Sequence, residues 1–413
     1  MFISLFGRIP RWLRCLTCAA LILALMLAQF GAGGLARAAD APAGPHFVTI
    51  QGDGFVLDGS PITIKGANYY QRDAPWNDMW QRWYGPQVAQ EVTTGANQLG
   101  LNTLRILVPY GVKYGWTDTT GAVNSVYLDE LRQLVQIAGN ANLRVILTLF
   151  DFSDDWGAPG SALEAAQLNY LTTIVSLFRD DDRVLAWDLH NEPDHYPGWQ
   201  QSPSAAGVVD WLARMAAAVR RLDTNHPLTI GFGAYQNVWA AQPGQPLPID
   251  LVDFVAVHDY DGGRIGEHVR DMKTRTGKPI LLEEVGWPTG HPYNPQAYSE
   301  ETQRYVYEQI VATVEDEHIA GAVQWLLWDL TAGPAVRSFD FVDWMGLFRR
   351  DGSLKPAGAV FATLPAPSLP ASVTTTLPLT GTPVPGWAEP LWFPQTGHWV
   401  AGVFKDRWLA DGG

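Results

Sequence analysis

Beyond residue 18 the chain contains no cysteine, since its only two, Cys15 and Cys18, lie near the N-terminus. The rest of the chain can build neither a disulfide framework nor a thiolate metal site. Basic residues are also scarce: 28 Lys and Arg against 42 Asp and Glu leave a formal charge of −14. Such a surface repels phosphate backbones and disfavours nucleic acid as a partner. The apolar run from Cys15 to about Leu27 falls short of the roughly 20 residues a membrane span needs. It follows Arg8, Arg11 and Arg14 and leads into Ala36-Arg37-Ala38. Basic, apolar and small-residue segments in that order read as a secretory signal over residues 1–38, cleaved near Ala38, and so as a secreted product. Cleavage would remove both cysteines and four arginines, taking the charge to −18. A Gly-x-Gly-x-x-Gly turn after the first strand is missing too, which leaves nicotinamide and nucleotide chemistry unsupported.

What the chain has in excess is tryptophan. Its 18 Trp residues suit an uncharged ligand, because flat apolar rings stack on sugar faces, although some must fill core. With 47% hydrophobic residues over 413 positions, there is material for one large core and an appendage.

From Phe47 two short alternating segments, Phe47 to Ile50 and Phe55 to Leu57, are separated by Gly52-Asp53-Gly54 and followed by Asp58-Gly59. They predict a hairpin that plugs one end of a domain. Eight apolar strand-like runs follow, at Ile62 to Gly66, Thr103 to Val108, Val145 to Phe150, Val184 to Leu189, Leu228 to Phe232, Phe254 to Val257, Ile280 to Leu282 and Ala322 to Leu327. Between them apolar residues recur at helical spacing: Leu128, Leu131, Leu134, Val135 and Ala138, then Leu168, Leu171, Ile174, Val175 and Phe178, then Val208, Trp211, Leu212, Met215, Val219 and Leu222. Strands that are apolar throughout, alternating with amphipathic helices, imply a parallel sheet covered on its outer face. Eight such units match a closed (β/α)₈ TIM barrel, an α/β fold, with an N-terminal β-hairpin and a C-terminal linker plus short tail.

Barrels of this kind carry their active sites at the C-terminal ends of the strands. The polar and aromatic residues there are Asn68 after the first strand, Arg105 within the second, Asp151 after the third, Asn191 and Glu192 after the fourth, His258 and Tyr260 after the sixth, Glu283 and Glu284 after the seventh, and Trp325 and Trp328 on the eighth. Strands four and seven each project a carboxylate into one cleft. Two acids flanking an acetal are what glycoside hydrolysis needs. Strict alternation along a strand would let only one of Glu283 and Glu284 face the lumen. The Asp and His residues at the mouth show no compact ligand spacing, so no metal is expected, and the chemistry needs no cofactor.

Six segments, in order, are similar to glycoside hydrolase family 5, the cellulase and β-mannanase family: FVLDGSPITIKGANYY from Phe55, GLNTLRILVP from Gly100, VLAWDLHNEP from Val184, DFVAVHDY from Asp253, KPILLEEVG from Lys278 and GLFRRDGSLKP from Gly346. The resemblance implies a retaining two-glutamate mechanism. Glu192 would be the acid/base, its pKa raised by its neighbours, and Glu284, directly before Val285-Gly286, the nucleophile. Asn191 would contact the sugar 2-hydroxyl, Arg105 and Tyr260 would hold Glu284 ionised, and His258 would orient the acid/base or a sugar hydroxyl. Asn68, Asp151, Trp156, Trp287, Trp325 and Trp328 would complete the substrate-binding set, with Trp76, Trp80, Trp83 and Trp199 as further sugar platforms. Asp154-Asp155-Trp156-Gly157 and the paired Glu283-Glu284 look like β-mannanases, whereas Val285 departs from the family's usual aromatic. The implied partner is a β-linked mannan or glucan, cut by a monomer, most often in endo fashion. The alternatives are an exo-acting β-glycosidase of the same clan and a catalytically silent carbohydrate-binding barrel.

The composition divides the chain into the signal at 1–38, the catalytic barrel at 39–364, a Pro/Thr-rich linker at 365–385 and a tail at 386–413. The linker has no apolar period and reads as extended and solvated. The tail, with PheProGlnThrGlyHisTrpVal at 393–400, resembles one copy of a short aromatic repeat of secreted bacterial proteins, which would contact cell wall or polysaccharide.

Overall fold

The structure, a computed structural model, describes residues 46–200, 205–290, 296–330 and 341–383. The expected signal and the C-terminal repeat lie outside the described residues. Strands β1 (Thr49–Gln51), β2 (Gly54–Leu57) and β3 (Ser60–Ile62) form an antiparallel meander. Eight parallel strands then close a barrel: β4 (Ile64–Asn68), β5 (Thr103–Pro109), β6 (Arg144–Asp151), β7 (Val184–Asn191), β8 (Leu228–Phe232), β9 (Val255–Asp259), β10 (Ile280–Val285) and β11 (Gly321–Gln324). They pair in sequence order around the ring, with β11 against β4.

Each barrel strand is buried along nearly its whole length. That two-sided burial is why the runs are apolar without alternation. The first expected strand, Ile62 to Gly66, is split: Ser60–Ile62 pairs back onto the hairpin and the barrel strand begins at Ile64. The hairpin closes the N-terminal end of the barrel, where Val48, Phe55 and Ile62 pack with Ile146, Leu185, Phe254 and Leu281.

The outer helices start where side chains cap them. Ser161 accepts from Glu164 N at 3.1 Å, satisfying a first-turn donor of helix Ala162–Phe178, and Glu164 Oε2 reaches back to accept from Gly160 N at 2.6 Å in the turn that leads into it. Asn124 and Ser299 cap Ser125–Asn140 and Glu300–Asp316 in the same way. Among the described residues no helix is long and apolar enough to cross a membrane.

The Pro/Thr-rich stretch differs from expectation. Residues 365–383 are extended, as their composition implies, but they are not solvated along their length. Leu369 is buried in the cluster beneath the barrel, and Arg144 donates to the carbonyls of Leu369 and Pro370. Asp182 accepts from Ser372 N (2.8 Å), Ser372 Oγ (2.6 Å), Val373 N (3.1 Å) and His46 N (2.9 Å). Gln136 exchanges two hydrogen bonds with Leu377, and Gln133 meets Thr380. Helix Ser125–Asn140 therefore carries two buried glutamines whose partners come from this strap.

Buried polar groups of this kind destabilise the fold when a partner is lost. Asp182→Ala is expected to cost about 2 kcal/mol, the scale of losing hydrogen bonds to a charged acceptor. The readouts are the urea midpoint and faster proteolysis between residues 365 and 383.

Candidate active site

The functional side chains stand where the barrel strands end. Arg105 on β5 reaches into the barrel with its guanidinium fully enclosed. It donates from Nη1 to Asn68 Oδ1 (2.9 Å) and Glu284 Oε1 (2.5 Å), and from Nη2 to Asp188 Oδ2 (2.8 Å) and Asn191 Oδ1 (2.9 Å). Burial alone would push this group down, but Glu283, Asp188 and Glu284 hold it well above its ordinary range. It is a fixed cation that four strands share.

Glu284 on β10 also accepts from Tyr260 OH at 2.6 Å through Oε2. Burial pushes its carboxyl up, and His258 and Arg105 oppose that push. Glu192 follows β7, three strands away around the ring. Its backbone sits in the left-handed region at φ 47°, a costly conformation for a residue with a Cβ and one that recurs at functional sites. His258 donates from Nδ1 to Glu192 Oε1 at 2.8 Å and lies 3.4 Å from Glu284 Oε2. One oxygen of Glu192, one of Glu284 and a nitrogen of His258 all lie within 4.8 Å of one another. These are the described residues whose spacing could hold a cation, and the imidazole already bridges the two acids.

His258 is enclosed, which alone would lower its pKa, yet the charges of Glu284 and Glu192 raise it to about 10. The folded state therefore binds this proton more tightly than the unfolded chain, whose histidines titrate near 6.5. The stabilisation is fully present below about pH 6.5 and is lost as pH rises through about 10. Thermal unfolding followed between those limits should show a falling midpoint that flattens in His258→Gln.

Glu283 and Glu284 are both inside, contrary to the alternation argument. The pairing of β10 with β9 shifts register between Leu282 and Glu284, and its pairing with β11 shifts between Leu282 and Val285. The bulge turns two successive carboxylates inward. Glu283 Oε2 lies 3.6 Å from Arg105 Nε and 3.7 Å from His258 Nε2, beneath the pair that holds Glu284. Gly231 on β8 makes the room, since a Cβ there would come within 2.8 Å of both Glu283 Oε2 and His258 Nε2.

Burial alone would raise Glu192, as the mechanism was expected to require. The charges of His195 and His258 and their hydrogen bonds outweigh it and hold this carboxyl below the ordinary range. His195 is the unforeseen partner: its Nδ1 lies 3.2 Å from Glu192 Oε2.

The remaining expected residues fall into two groups. Asp151 ends β6 with Oδ2 unpartnered and buried, and burial pushes it up to about 8. That shift favours its protonated form, and its charge when ionised would be felt by Tyr70 and Tyr196. Trp325 meets Tyr70 and Trp76 at centroid distances of 6.1 and 5.9 Å, and Trp76 is the partly exposed member of this wall. Trp287 stacks one face on Tyr298. Trp156 stacks on His190 and is packed against Gly198.

Asn68 and Trp328 do not line the cleft. Asn68 is buried, with its amide committed to the carbonyls of Glu283 and Gln324, so it braces Arg105 rather than a sugar. Trp328 is buried, stacked on Phe348 at 4.5 Å and with the Arg72 guanidinium over its ring at 5.2 Å. Trp80 and Trp83 are core residues as well. Asp188, unforeseen, accepts from Arg105, Thr148 and the Gly231 amide.

A closed parallel barrel with two glutamates at its C-terminal mouth, tied together by arginine, tyrosine and histidine, has the architecture of a glycoside hydrolase. A model of the cellulase family, glycosyl hydrolase family 5, matches residues 59–333, and the chain belongs to that family. It is 23% identical over 349 residues to mannan endo-1,4-beta-mannosidase 1 of Arabidopsis thaliana, covering 69% of this chain and 82% of that one. It is 25% identical over 365 residues to mannan endo-1,4-beta-mannosidase 1 of Oryza sativa subsp. japonica, covering 72% and 81%. Among solved structures, an exo-beta-1,4-mannosidase from Opitutaceae bacterium strain TAV5 superposes with a TM-score of 0.63 at 21% identity, over 76% of this chain and 61% of that one.

Proposed function

We propose that the chain is a secreted, monomeric endo-acting β-mannanase that cleaves β-1,4-mannan with retention of configuration. The observation that supports retention is the carboxylate spacing: one oxygen of Glu192 and one of Glu284 lie within 4.8 Å of each other, closer to the roughly 5 Å separation of nucleophile and acid/base than to the gap of about 6.5 Å or more at which an inverting pair admits its attacking water. In this reading Glu284 attacks the anomeric carbon while Arg105 and Tyr260 favour its charged form. Glu192 gives a proton to the leaving oxygen, then takes one from water in the second step. Asn191, held through its carbonyl by Arg105, keeps its amide for the sugar 2-hydroxyl. The protonated Asp151 donates to another hydroxyl, and Trp76 and Trp325 stack on the ring. Mannan is favoured over glucan because the curated relatives named above are mannan endo-1,4-β-mannosidases. Secretion rests on the basic, apolar and small-residue order of residues 1–38.

Mannan, carboxymethyl cellulose and xyloglucan offered side by side test this. The expected result is rapid loss of mannan viscosity with release of mixed oligosaccharides. Release of mannose alone would instead fit exo action, and hydrolysis confined to glucans would refute the mannan reading.

A further inference from the structure

Beneath the catalytic pair two nitrogens are left over. Arg105 uses Nη1 on Asn68 and Glu284 and Nη2 on Asp188 and Asn191, while its Nε makes no hydrogen bond. His258 gives Nδ1 to Glu192, and its Nε2 makes none. Both unused nitrogens face one atom, Oε2 of Glu283, at 3.6 Å from Arg105 Nε and 3.7 Å from His258 Nε2. The side chains of Arg105, His258 and Glu283 are all 0% exposed, so bulk solvent does not reach this three-way contact.

Two features of the fold put the carboxyl there. The register shifts of β10 against β9 and β11 turn Glu283 inward beside Glu284. Gly231 leaves the space that Glu283 Oε2 and His258 Nε2 share. The placement is costly, because burial and the neighbouring Asp188 push the Glu283 carboxyl up, and Arg105 and His258 oppose that push. What offsets the cost stands in front of it. Arg105 Nη1 holds Glu284 at 2.5 Å and His258 Nδ1 holds Glu192 at 2.8 Å. A single oxygen therefore lies behind both groups that hold the catalytic acids. Burial would lower both cations; Glu283 is the foremost charge opposing it at Arg105, and at His258 it adds to Glu284 and Glu192. The charged and titratable groups facing His258 are Glu192, Glu283, Glu284 and His195, and those facing Glu283 are Asp188, Arg105 and His258.

We propose that Glu283 is a positioning residue whose buried carboxylate backs Arg105 at Nε and His258 at Nε2, fixing the guanidinium on Glu284 and the imidazole on Glu192. This rests on the hydrolase reading above and gives Glu283 a role separate from that of its neighbour. Glu283 touches no substrate, and no bond forms or breaks on it. When the Glu284 carboxylate becomes an ester in the first step, its charge is lost to Arg105 and His258. Glu283 still faces both, so neither cation has to move before water enters in the second step.

The test is Glu283→Gln, which keeps the shape of the side chain and removes its charge. With an aryl β-mannoside, kcat and KM are measured against pH. The expected result is a kcat lower by at least about tenfold, the rate equivalent of one weakened charged contact, with KM within about twofold of the unaltered protein. Both limbs of the pH profile should also move to lower pH, because a negative charge that favoured proton binding by Glu284 and by the Glu192–His258 pair is gone. Unaltered kinetics, a lower kcat with both limbs unmoved, or a raised KM with kcat unchanged would overturn the brace. Independently of turnover, NMR of the His258 imidazole should show both ring nitrogens protonated at neutral pH in the unaltered protein, with a lower pKa in Glu283→Gln. A bare Nε2 in the unaltered protein would overturn the brace even if the variant failed to fold, and an unmoved pKa in a folded variant would do the same. No hydrolysis of any glycoside by the unaltered protein would overturn the hydrolase reading, and the positioning role with it, whatever NMR shows.

Discussion

Glu284→Ala is expected to lower kcat/KM by about 10⁴-fold or more, the scale on which enzymes lose a covalent nucleophile. Glu192→Ala should cost about 10²–10⁴-fold on substrates with poor leaving groups, the range of general acid catalysis. The two losses are distinguishable by rescue. Azide can occupy the space vacated at position 284 and attack the anomeric carbon from that side, giving a glycosyl azide of inverted configuration. At position 192 it replaces the water of the second step and gives the retained anomer. NMR of the azide products reads both outcomes. Rescue of the two variants with the same stereochemistry would contradict the assigned roles.

Arg105→Met should be the most damaging single change to stability within the barrel. The side chain is enclosed and reaches Glu284, Asp188, Asn68 and Asn191 directly, with Glu283 at 3.6 Å. Removing it leaves buried Asp188 without a cation and Glu283 and Glu284 with His258 alone, a loss of about 3–5 kcal/mol on the scale of broken buried ion pairs. The sign with pH is fixed. Without the arginine those carboxyls titrate higher in the folded state than in the unfolded chain. The variant therefore loses further stability as pH rises above the ordinary carboxylate range, and the gap from the unaltered protein widens toward neutral pH. Denaturant midpoints at pH 5 and pH 8 measure that gap. Arg105→Lys should recover little, because a point charge cannot span four acceptors in one plane. An equal gap at both pH values would mean that packing, not charge, is what Arg105 supplies.

The barrel was legible because two-sided burial leaves an unambiguous mark: eight apolar runs separated by helical periods. Glu192 and Glu284 were legible for a related reason, since polar residues that end such runs must face the mouth. What escaped the sequence depends on contacts between distant elements. The bulge that brings Glu283 inward is a register shift of β10 against both neighbours, and alternation along one strand cannot reveal it. His195 is invisible without the left-handed turn at Glu192, and Asp188 sits inside an apolar strand with nothing local to mark its partner. The strap at 365–383 has the composition of a solvated linker, and only buried Gln133, Gln136, Arg144 and Asp182 disclose that it is docked. Trp328 has the sequence position of a sugar platform, and only its burial against Phe348 and Arg72 takes it out of the cleft.

The most direct test of the central claim is to trap the glycosyl-enzyme. A 2-deoxy-2-fluoro glycosyl fluoride slows the second step more than it slows the loss of fluoride, because the electron-withdrawing fluorine opposes the oxocarbenium-like state and removes the 2-hydroxyl contact. Intact mass and peptide mapping should show a single adduct per chain, on Glu284, that decays when an acceptor sugar is added. A label on Glu283 or Glu192, or turnover of natural substrate with inversion and no adduct, would contradict the account.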